Sequence, residues 1–117
     1  MATIADVVGG AVDRTKILDS ASLLPLFKGQ TSAPLHKYLM HKSQARSGPF
    51  YAMRDGDWKL IMKGSGGLKE MGELSCIELY NLKDNPKEKG AKNMINHPEQ
   101  RTRIKRMKAK YLELWIE

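Results

Sequence analysis

The sequence has little cysteine and no long hydrophobic run. Cys76 is the only cysteine among 117 residues, which excludes an internal disulfide and is compatible with a reducing compartment. No apolar stretch approaches the roughly 18–20 residues that a helix needs to span a bilayer. The N-terminus has no charged leader, apolar h-region or cleavage site. We therefore expect the chain as written to stay in the cytoplasm, away from membranes.

Acidic residues are fewer than basic ones, 13 against 20, and the resulting net charge of +7 allows two interpretations. Cations concentrate near the C-terminus, at Arg101, Arg103, Lys105, Arg106, Lys108 and Lys110. They could bind nucleic acid or another polyanion, or they could form the solvated face of a helix. Apolar residues recur on one helical stripe, at Ile104, Met107, Tyr111 and Leu114 with Trp115. This stripe favours the solvated helix, and a small basic anion- or nucleic-acid-binding module is the alternative function.

The clearest local pattern is a β-hairpin around Asp55-Gly56. These residues separate two apolar-rich arms, and both central residues of such a tight turn need a positive φ. With this pair as the loop, the predicted cross-strand pairs are Arg54–Asp57, Met53–Trp58, Ala52–Lys59, Tyr51–Leu60 and Phe50–Ile61. Each favourable pair adds about 0.2–1 kcal/mol to this register.

The remaining chain divides into short elements around one small core, for which the apolar content of 41% is ordinary. The predicted elements are a helix over 2–8, a helical turn within 22–27, a strand over 35–43, a loop over 44–49, a glycine-rich flexible loop over 64–72, a strand over 77–82, an irregular segment over 83–95 and a helix from about residue 97. The fold class is α+β: a small four-stranded antiparallel sheet packed by a C-terminal amphipathic helix, after an irregular N-terminal segment with a short helix.

The hairpin should pack against the last helix. We expect Trp58, Leu60 and Tyr80 to contact the apolar stripe of that helix, including Trp115. At about 25 cal/mol per Å² of buried apolar surface, this contact is the largest stabilising term available to so small a domain.

Two other patterns are weak evidence for ligands. The run Gly64-Ser65-Gly66-Gly67 is not followed by the G-K-[ST] of a phosphate-binding loop, so a flexible loop is favoured. His36, His41 and His97 form no helical pair and have no cysteine nearby, so we expect no zinc site.

Four short motifs occur in a characteristic order. They are M-A-T-I-A-D-V-V-G at 1–9, D-S-A-S-L-L-P-L-F-K-G at 19–29, A-M-R-D-G-D-W-K-L-I at 52–61 and E-L-Y-N-L-K-D at 78–84. Together they resemble the C-terminal region of sulfatases, in the arylsulfatase branch of the alkaline-phosphatase-like hydrolases. The resemblance implies that residues 1–34 are a remnant of the end of the catalytic domain with its connecting segment. It implies that residues 35–117 are the C-terminal subdomain.

The resemblance also implies which catalytic groups lie outside this sequence. In sulfatases a Cys or Ser in a C/S-x-P/A-x-R motif becomes formylglycine, and clustered Asp, Asn and His residues bind calcium. Cys76 has no such motif around it, and no Asp-Asp pair or Asp-x-x-Asn-His cluster occurs. We therefore expect no cofactor in this chain and no sulfatase activity from the chain alone. Calcium and formylglycine are expected only in full-length relatives, which are often exported.

His41-Lys42-Ser43 is similar to an H-H-S motif that many sulfatases carry at the end of the corresponding strand, with Lys42 in place of the second His. The resemblance places this motif near the rim of the active site. His41 and Lys42 could there contact the sulfated substrate of an intact enzyme, and plain solvent exposure is the alternative.

The expected partner is a separate sulfatase catalytic domain or a second copy of the chain. In the family the N-terminal part of this region packs on the catalytic domain. We expect it here to expose a set of apolar residues, namely Ile4, Val7, Val8, Leu23, Leu24 and Phe27. Exposed patches of this kind favour association.

Overall fold

The computed structural model describes residues 1–13, 20–66 and 70–115. The chain forms two compact units, Met1–His36 and Lys37–Glu117. In the described residues, no helix has the length and apolar character needed to cross a membrane. The assignment of residues 1–34 to the end of a catalytic domain stays a prediction.

The first unit contains two short helices, as predicted. Helix α1 spans Ala2–Val7 and helix α2 spans Leu24–Phe27. Gly9 follows α1 with a φ of 71°, the left-handed conformation that glycine adopts readily after a helix end. Proline in the first turn of α2 suits a position where no intrahelical N–H is needed.

Side-chain oxygens tie the segments of the first unit together. The Ala2 N–H donates to the Ser20 Oγ over 3.0 Å, and the Leu23 N–H donates to the Thr3 Oγ1 over 2.9 Å. Most of the apolar side chains expected to be exposed are indeed exposed, namely Ile4, Val7, Val8, Leu23 and Phe27. Leu24 is partly buried.

The second unit is built on one antiparallel sheet with the strand order β1-β2-β3-β4. The strands are β1 Tyr38–Ala45, β2 Gly48–Asp55, β3 Trp58–Gly64 and β4 Leu74–Asn81. The four-stranded architecture is as predicted. The predicted strand over 35–43 lies too early in the chain, and the predicted strand over 77–82 omits the first three residues of β4.

The β2–β3 hairpin forms at the predicted place in a different register. Asp55 pairs with Trp58 and Tyr51 pairs with Met62, so the loop is Gly56-Asp57 and each predicted partner is displaced by two residues. Gly56 has a φ of 58°, whereas Asp57 does not have a positive φ. Glycine at the first central position is the preference of a type II′ turn, which leaves Asp55 extended in the strand. A displacement by two residues preserves the faces, so the core residues still point to one side.

A second hairpin joins β1 to β2, where the sequence predicted a loop over 44–49. Ala45 pairs with Gly48 across the two-residue loop Arg46-Ser47. Gly48 has a φ of 114°, which an L-residue rarely adopts. The loop prediction was wrong because the glycine lies inside the ladder next to the turn.

A β-bulge in β4 changes which of its side chains point to each face of the sheet. Ile61 pairs with Glu78 and Met62 pairs with Cys76, which leaves Ile77 as the extra residue. Because of this extra residue, Leu74 and Leu79 lie on the same face although they are five positions apart.

One face of the sheet, here called the inner face, is covered by the C-terminal helix. Helix α3 spans Arg101–Leu114 and follows a 3-10 turn over Pro98–Gln100, close to the predicted start. The buried core consists of Tyr51, Met53, Leu60, Met62, Met71, Leu74, Leu79, Met107 and Tyr111. Four of the seven methionines of the chain therefore lie in this core. Trp58, Ile104 and Trp115 pack against it, as predicted.

Tyr80 does not take part in the predicted contact with α3. It is only 3% exposed, but it follows the core residue Leu79 in β4 and therefore lies on the opposite, outer face of the sheet. Its cross-strand partner there is Lys59. Burial and the nearby Glu78 and Glu88 carboxylates raise the pKa of Tyr80.

The glycine-rich loop predicted over 64–72 falls partly on residues 67–69, outside the described residues. Its described parts are joined by the Ser65 N–H, which donates to the Glu73 carbonyl, and by the Gly66 N–H, which donates to the Met71 carbonyl. The segment predicted as irregular, 83–95, contains one short 3-10 turn at Gly90–Lys92.

Candidate functional site

His41 and Lys42 lie next to each other in β1, and their side chains point to opposite faces of the sheet. Lys42 pairs with the core residue Tyr51 and lies on the inner side, whereas His41 pairs with Ala52 and lies on the outer side. Both residues are exposed. A ligand that rests against one face of the sheet would therefore meet only one of these two side chains.

A shallow pocket of about 160 Å³ opens on the outer face beside His41. Three neighbouring strands contribute a basic side chain to its wall: His41 from β1, Arg54 from β2 and Lys59 from β3. Arg54 and Lys59 are direct cross-strand partners. The other lining residues are Leu39, Ala52, Met53, Leu82 and Glu88.

Within this pocket Lys59 is already paired with a carboxylate. Its Nζ lies 2.7 and 2.9 Å from the two carboxylate oxygens of Glu88. Glu88 has a φ of 50°, a conformation that costs a non-glycine residue free energy and that holds its side chain at this place. Arg54 donates its Nε–H to the Gly56 carbonyl over 2.9 Å, which leaves its other guanidinium donors for solvent or a ligand. The pocket thus offers donors suited to an anionic group.

The inner face ends in an aromatic cluster formed by Tyr51, Tyr111 and Trp115. Ring centroids are 6.0 Å apart for Tyr51–Tyr111, 5.5 Å for Tyr51–Trp115 and 5.7 Å for Tyr111–Trp115. The Lys42 Nζ lies 5.7 Å from the Tyr51 ring and 5.6 Å from the Trp115 ring, within cation–π range. Lys42 therefore covers the end of the core.

Polar atoms of this aromatic cluster are buried without partners. In the described part of the chain, the hydroxyls of Tyr51 and Tyr111 and the Nε1 of Trp115 have no hydrogen bond. Burial, together with the neighbouring Tyr51, raises the pKa of Tyr111 to about 12. The cluster contributes packing to the core, and the Tyr111 hydroxyl stays protonated at neutral pH.

Most of the cations of α3 are occupied within the molecule. The Arg103 guanidinium stacks 4.1 Å from the centre of the Trp58 ring, and the Arg106 Nη2 lies 3.2 Å from the Asp55 Oδ2. Lys108 donates to the Leu74 carbonyl over 2.6 Å, and Lys110 lies 2.9 Å from Glu113. These contacts weaken the interpretation of α3 as a polyanion-binding face.

Cys76 is partly buried at the edge of the core, and burial raises the pKa of its thiol. A protonated thiol is a poor nucleophile and a poor metal ligand. Among the described residues, no group of three or more His, Cys, Asp and Glu side chains could hold a metal ion.

Of the two predicted site residues, His41 is the one that lines the outer-face pocket. Sequence reasoning missed Arg54 and Lys59, because their proximity to His41 depends on the strand register.

A solved structure with a similar fold is that of BT4656 in complex with its substrate D-glucosamine-2-N,6-O-disulfate. The TM-score is 0.69, the sequence identity is 22%, and the likeness covers 96% of this chain. The likeness shows that this chain shares the fold of the matched region of BT4656. No protein-family model matches the sequence, and the search of curated proteins gave no significant match.

The chain spans only a part of the protein that it resembles. The matched region amounts to 22% of the BT4656 chain, so most of that protein has no counterpart in the 117 residues given.

Proposed function

We propose that this chain acts as the C-terminal subdomain of a sulfatase, a sulfuric ester hydrolase of the arylsulfatase branch. In this role it supports a catalytic domain and borders the substrate site. The observation that carries the proposal is the likeness to BT4656, which extends over 96% of this chain but 22% of that one. The order of the four short motifs along the sequence supports the same assignment.

The proposal gives His41 the contact with substrate. Its side chain borders the outer-face pocket together with Arg54, whose guanidinium has free donors. A sulfate group carries negative charge and several acceptor oxygens, so it suits charge-assisted hydrogen bonds from such a pair. Lys42 supports the same strand from the other face, because its ammonium group packs over the aromatic cluster.

Catalysis, on this proposal, depends on groups supplied by a catalytic domain. Formylglycine and the calcium ligands would belong to that domain, and the protonated thiol of Cys76 does not replace them. The chain alone should therefore not hydrolyse sulfate esters.

The experiment is an assay with a chromogenic aryl sulfate and calcium. The chain is assayed alone and after coexpression with a sulfatase catalytic domain, which is taken from the reading frame directly upstream of its gene if that frame encodes one. We expect turnover only from the coexpressed pair, and a lower kcat/KM when the pair carries His41→Ala. Turnover by the chain alone that survives rigorous purification would contradict the proposal, and so would a catalytic domain whose activity is independent of the chain.

A further inference from the structure

The two edges of the sheet differ in how their backbone groups are satisfied. At the β4 edge, the Leu79 N–H donates to the Asn93 Oδ1 over 2.9 Å, and the Met94 N–H donates to the Leu79 carbonyl over 2.8 Å. The Asn93 Nδ2 also donates to the Ile77 carbonyl over 3.2 Å. This edge is therefore closed by the chain itself.

The β1 edge is open. In the described residues, the backbone of β1 has hydrogen bonds with β2 alone, and from His41 to Ala45 every residue is exposed. Alternate residues of an edge strand direct both N–H and C=O outward, so eight residues offer about four such pairs. The ladder with β2 is unbroken and β1 contains no proline. Two common devices that block strand addition, a bulge and a proline, are thus missing from this strand.

Cations flank both ends of this open edge. Within the second unit, no Asp or Glu occurs among residues 37–54. Lys37 precedes β1 and Arg46 follows it, and both side chains are exposed. A partner strand would therefore meet a cation at each end of β1.

We propose that β1 binds an extended, acidic peptide segment of a partner protein, which adds a fifth strand to the sheet. Only a polypeptide backbone supplies the alternating donors and acceptors that the open edge requires, since nucleic-acid phosphates are acceptors alone. Carboxylates of the peptide would pair with Lys37 and Arg46. This interaction goes beyond the proposed sulfatase role and does not depend on it.

A second copy of the chain fits the same edge less well. If β1 paired antiparallel with itself over its full length, Lys37 of one copy would lie opposite Arg46 of the other. Like charges placed opposite each other destabilise a strand pair. Charge complementarity therefore selects an acidic partner over self-pairing.

The test measures binding of a fluorescent peptide with eight residues of alternating Glu and Val and blocked ends. We expect it to bind the full-length chain and to slow hydrogen exchange at alternate β1 amides. Two control peptides should bind about tenfold more weakly or worse: one with Lys for Glu, and one with Pro for Val, which keeps the charge but cannot form the ladder.

Charge-reversal variants separate this edge from the general positive charge of the chain. The double change Lys37→Glu with Arg46→Glu should weaken binding about tenfold, because carboxylates would then oppose the peptide. Lys83→Glu with Lys87→Glu alters the net charge equally on exposed residues beyond β4 and should leave the affinity within about twofold. The proposal is overturned if the Pro peptide binds as well as the Val peptide, if both double variants weaken binding equally, or if the β1 amides gain no protection.

Discussion

At the level of single residues, the buried hydroxyl of Tyr111 lowers the stability that the aromatic cluster gives to the fold. A buried hydroxyl without a partner costs about 1–3 kcal/mol, and the T-shaped and stacked ring contacts around it offset this cost by about 0.5–1.5 kcal/mol each. The aromatic cluster is thus stabilised by its rings and weakened by its hydroxyls.

Tyr111→Phe should make the protein less sensitive to alkali. Because the pKa of Tyr111 rises from 10.0 to about 12 on folding, both states are protonated below pH 10 and the stabilisation is complete there. Between pH 10 and about 12 the unfolded state loses the proton first, so the free energy of unfolding falls. Urea unfolding at stepwise pH values should show a shallower decline for the variant, which should also be about 1–3 kcal/mol more stable at pH 7 because the unpaired hydroxyl is removed. An unaltered alkaline decline would contradict this assignment.

Trp115→Ala should destabilise the second unit by roughly 3–5 kcal/mol, because it removes two ring contacts and opens a cavity beside Tyr51. Urea unfolding measures the loss. Leu112→Ala, in the same helix but at a side chain that is 50% exposed, is the matched control and should change stability by less than about 1 kcal/mol. Equal midpoints for wild type and Trp115→Ala would show that the tryptophan does not support the core.

At the level of whole elements, one side chain outside the sheet holds β4 in place. The Asn93 amide accepts from the N–H groups of Leu79 and Ile95 and donates to the carbonyl of the bulge residue Ile77. It therefore fixes the bulge that aligns the side chains of β4 with the core.

Asn93→Ala should lower the free energy of unfolding by about 1–3 kcal/mol, since it leaves partly buried backbone groups of β4 unpaired. Asn93→Asp keeps the acceptor and loses the donor, so its effect should be smaller. Hydrogen exchange should also become faster at Leu79. Asn96→Ala, at an exposed neighbouring position, is the control. Wild-type exchange at Leu79 in the alanine variant would refute the role of Asn93.

Much of the sheet could be predicted from the sequence, because alternating apolar residues and Asp-Gly locate a hairpin. The register could not be predicted, since Gly56 can serve as the second residue of one turn type or the first of another. The Arg46-Ser47 turn gives no strong signal. Leu79 and Tyr80 are both buried, and the sequence alone does not tell which of them faces the helix.

The candidate pocket was predictable only in part, for the same reason. His41 was predicted from the similarity of His41-Lys42-Ser43 to an H-H-S motif, but the grouping of His41 with Arg54 and Lys59 is a property of three paired strands. Glu88 enters the pocket from a segment without regular secondary structure. No periodic pattern in the sequence marks such a contact.

For the whole molecule, the exposed apolar residues of the first unit are the feature that separates the two candidate functions. Val7 is 64% exposed, Val8 74% and Phe27 73%. Side chains of this type on a surface favour association with a complementary chain or with a second copy.

We expect sedimentation to show association that rises with protein concentration and weakens in the triple variant Val7→Ser, Val8→Ser, Phe27→Ser. Leu39→Ser with Leu112→Ser, which alters exposed apolar residues of the second unit, should leave association unchanged. A salt-titrated oligonucleotide binding assay is run in parallel. A strict monomer that binds oligonucleotides with a steep salt dependence would instead favour the nucleic-acid-binding module.

The methionine-rich core makes the lifetime of the folded protein depend on the oxidants around it. Met53 and Met62 expose no surface, whereas Met1 is 79% exposed. Peroxide can therefore reach the thioethers of Met53 and Met62 only when the sheet and α3 separate. A sulfoxide formed at that moment is polar and no longer fits among Leu60 and Leu79, so the chain does not close again. Under oxidising conditions an opening of the second unit during which such a sulfoxide forms becomes irreversible, and enzymatic reduction of the sulfoxide is what would restore the fold.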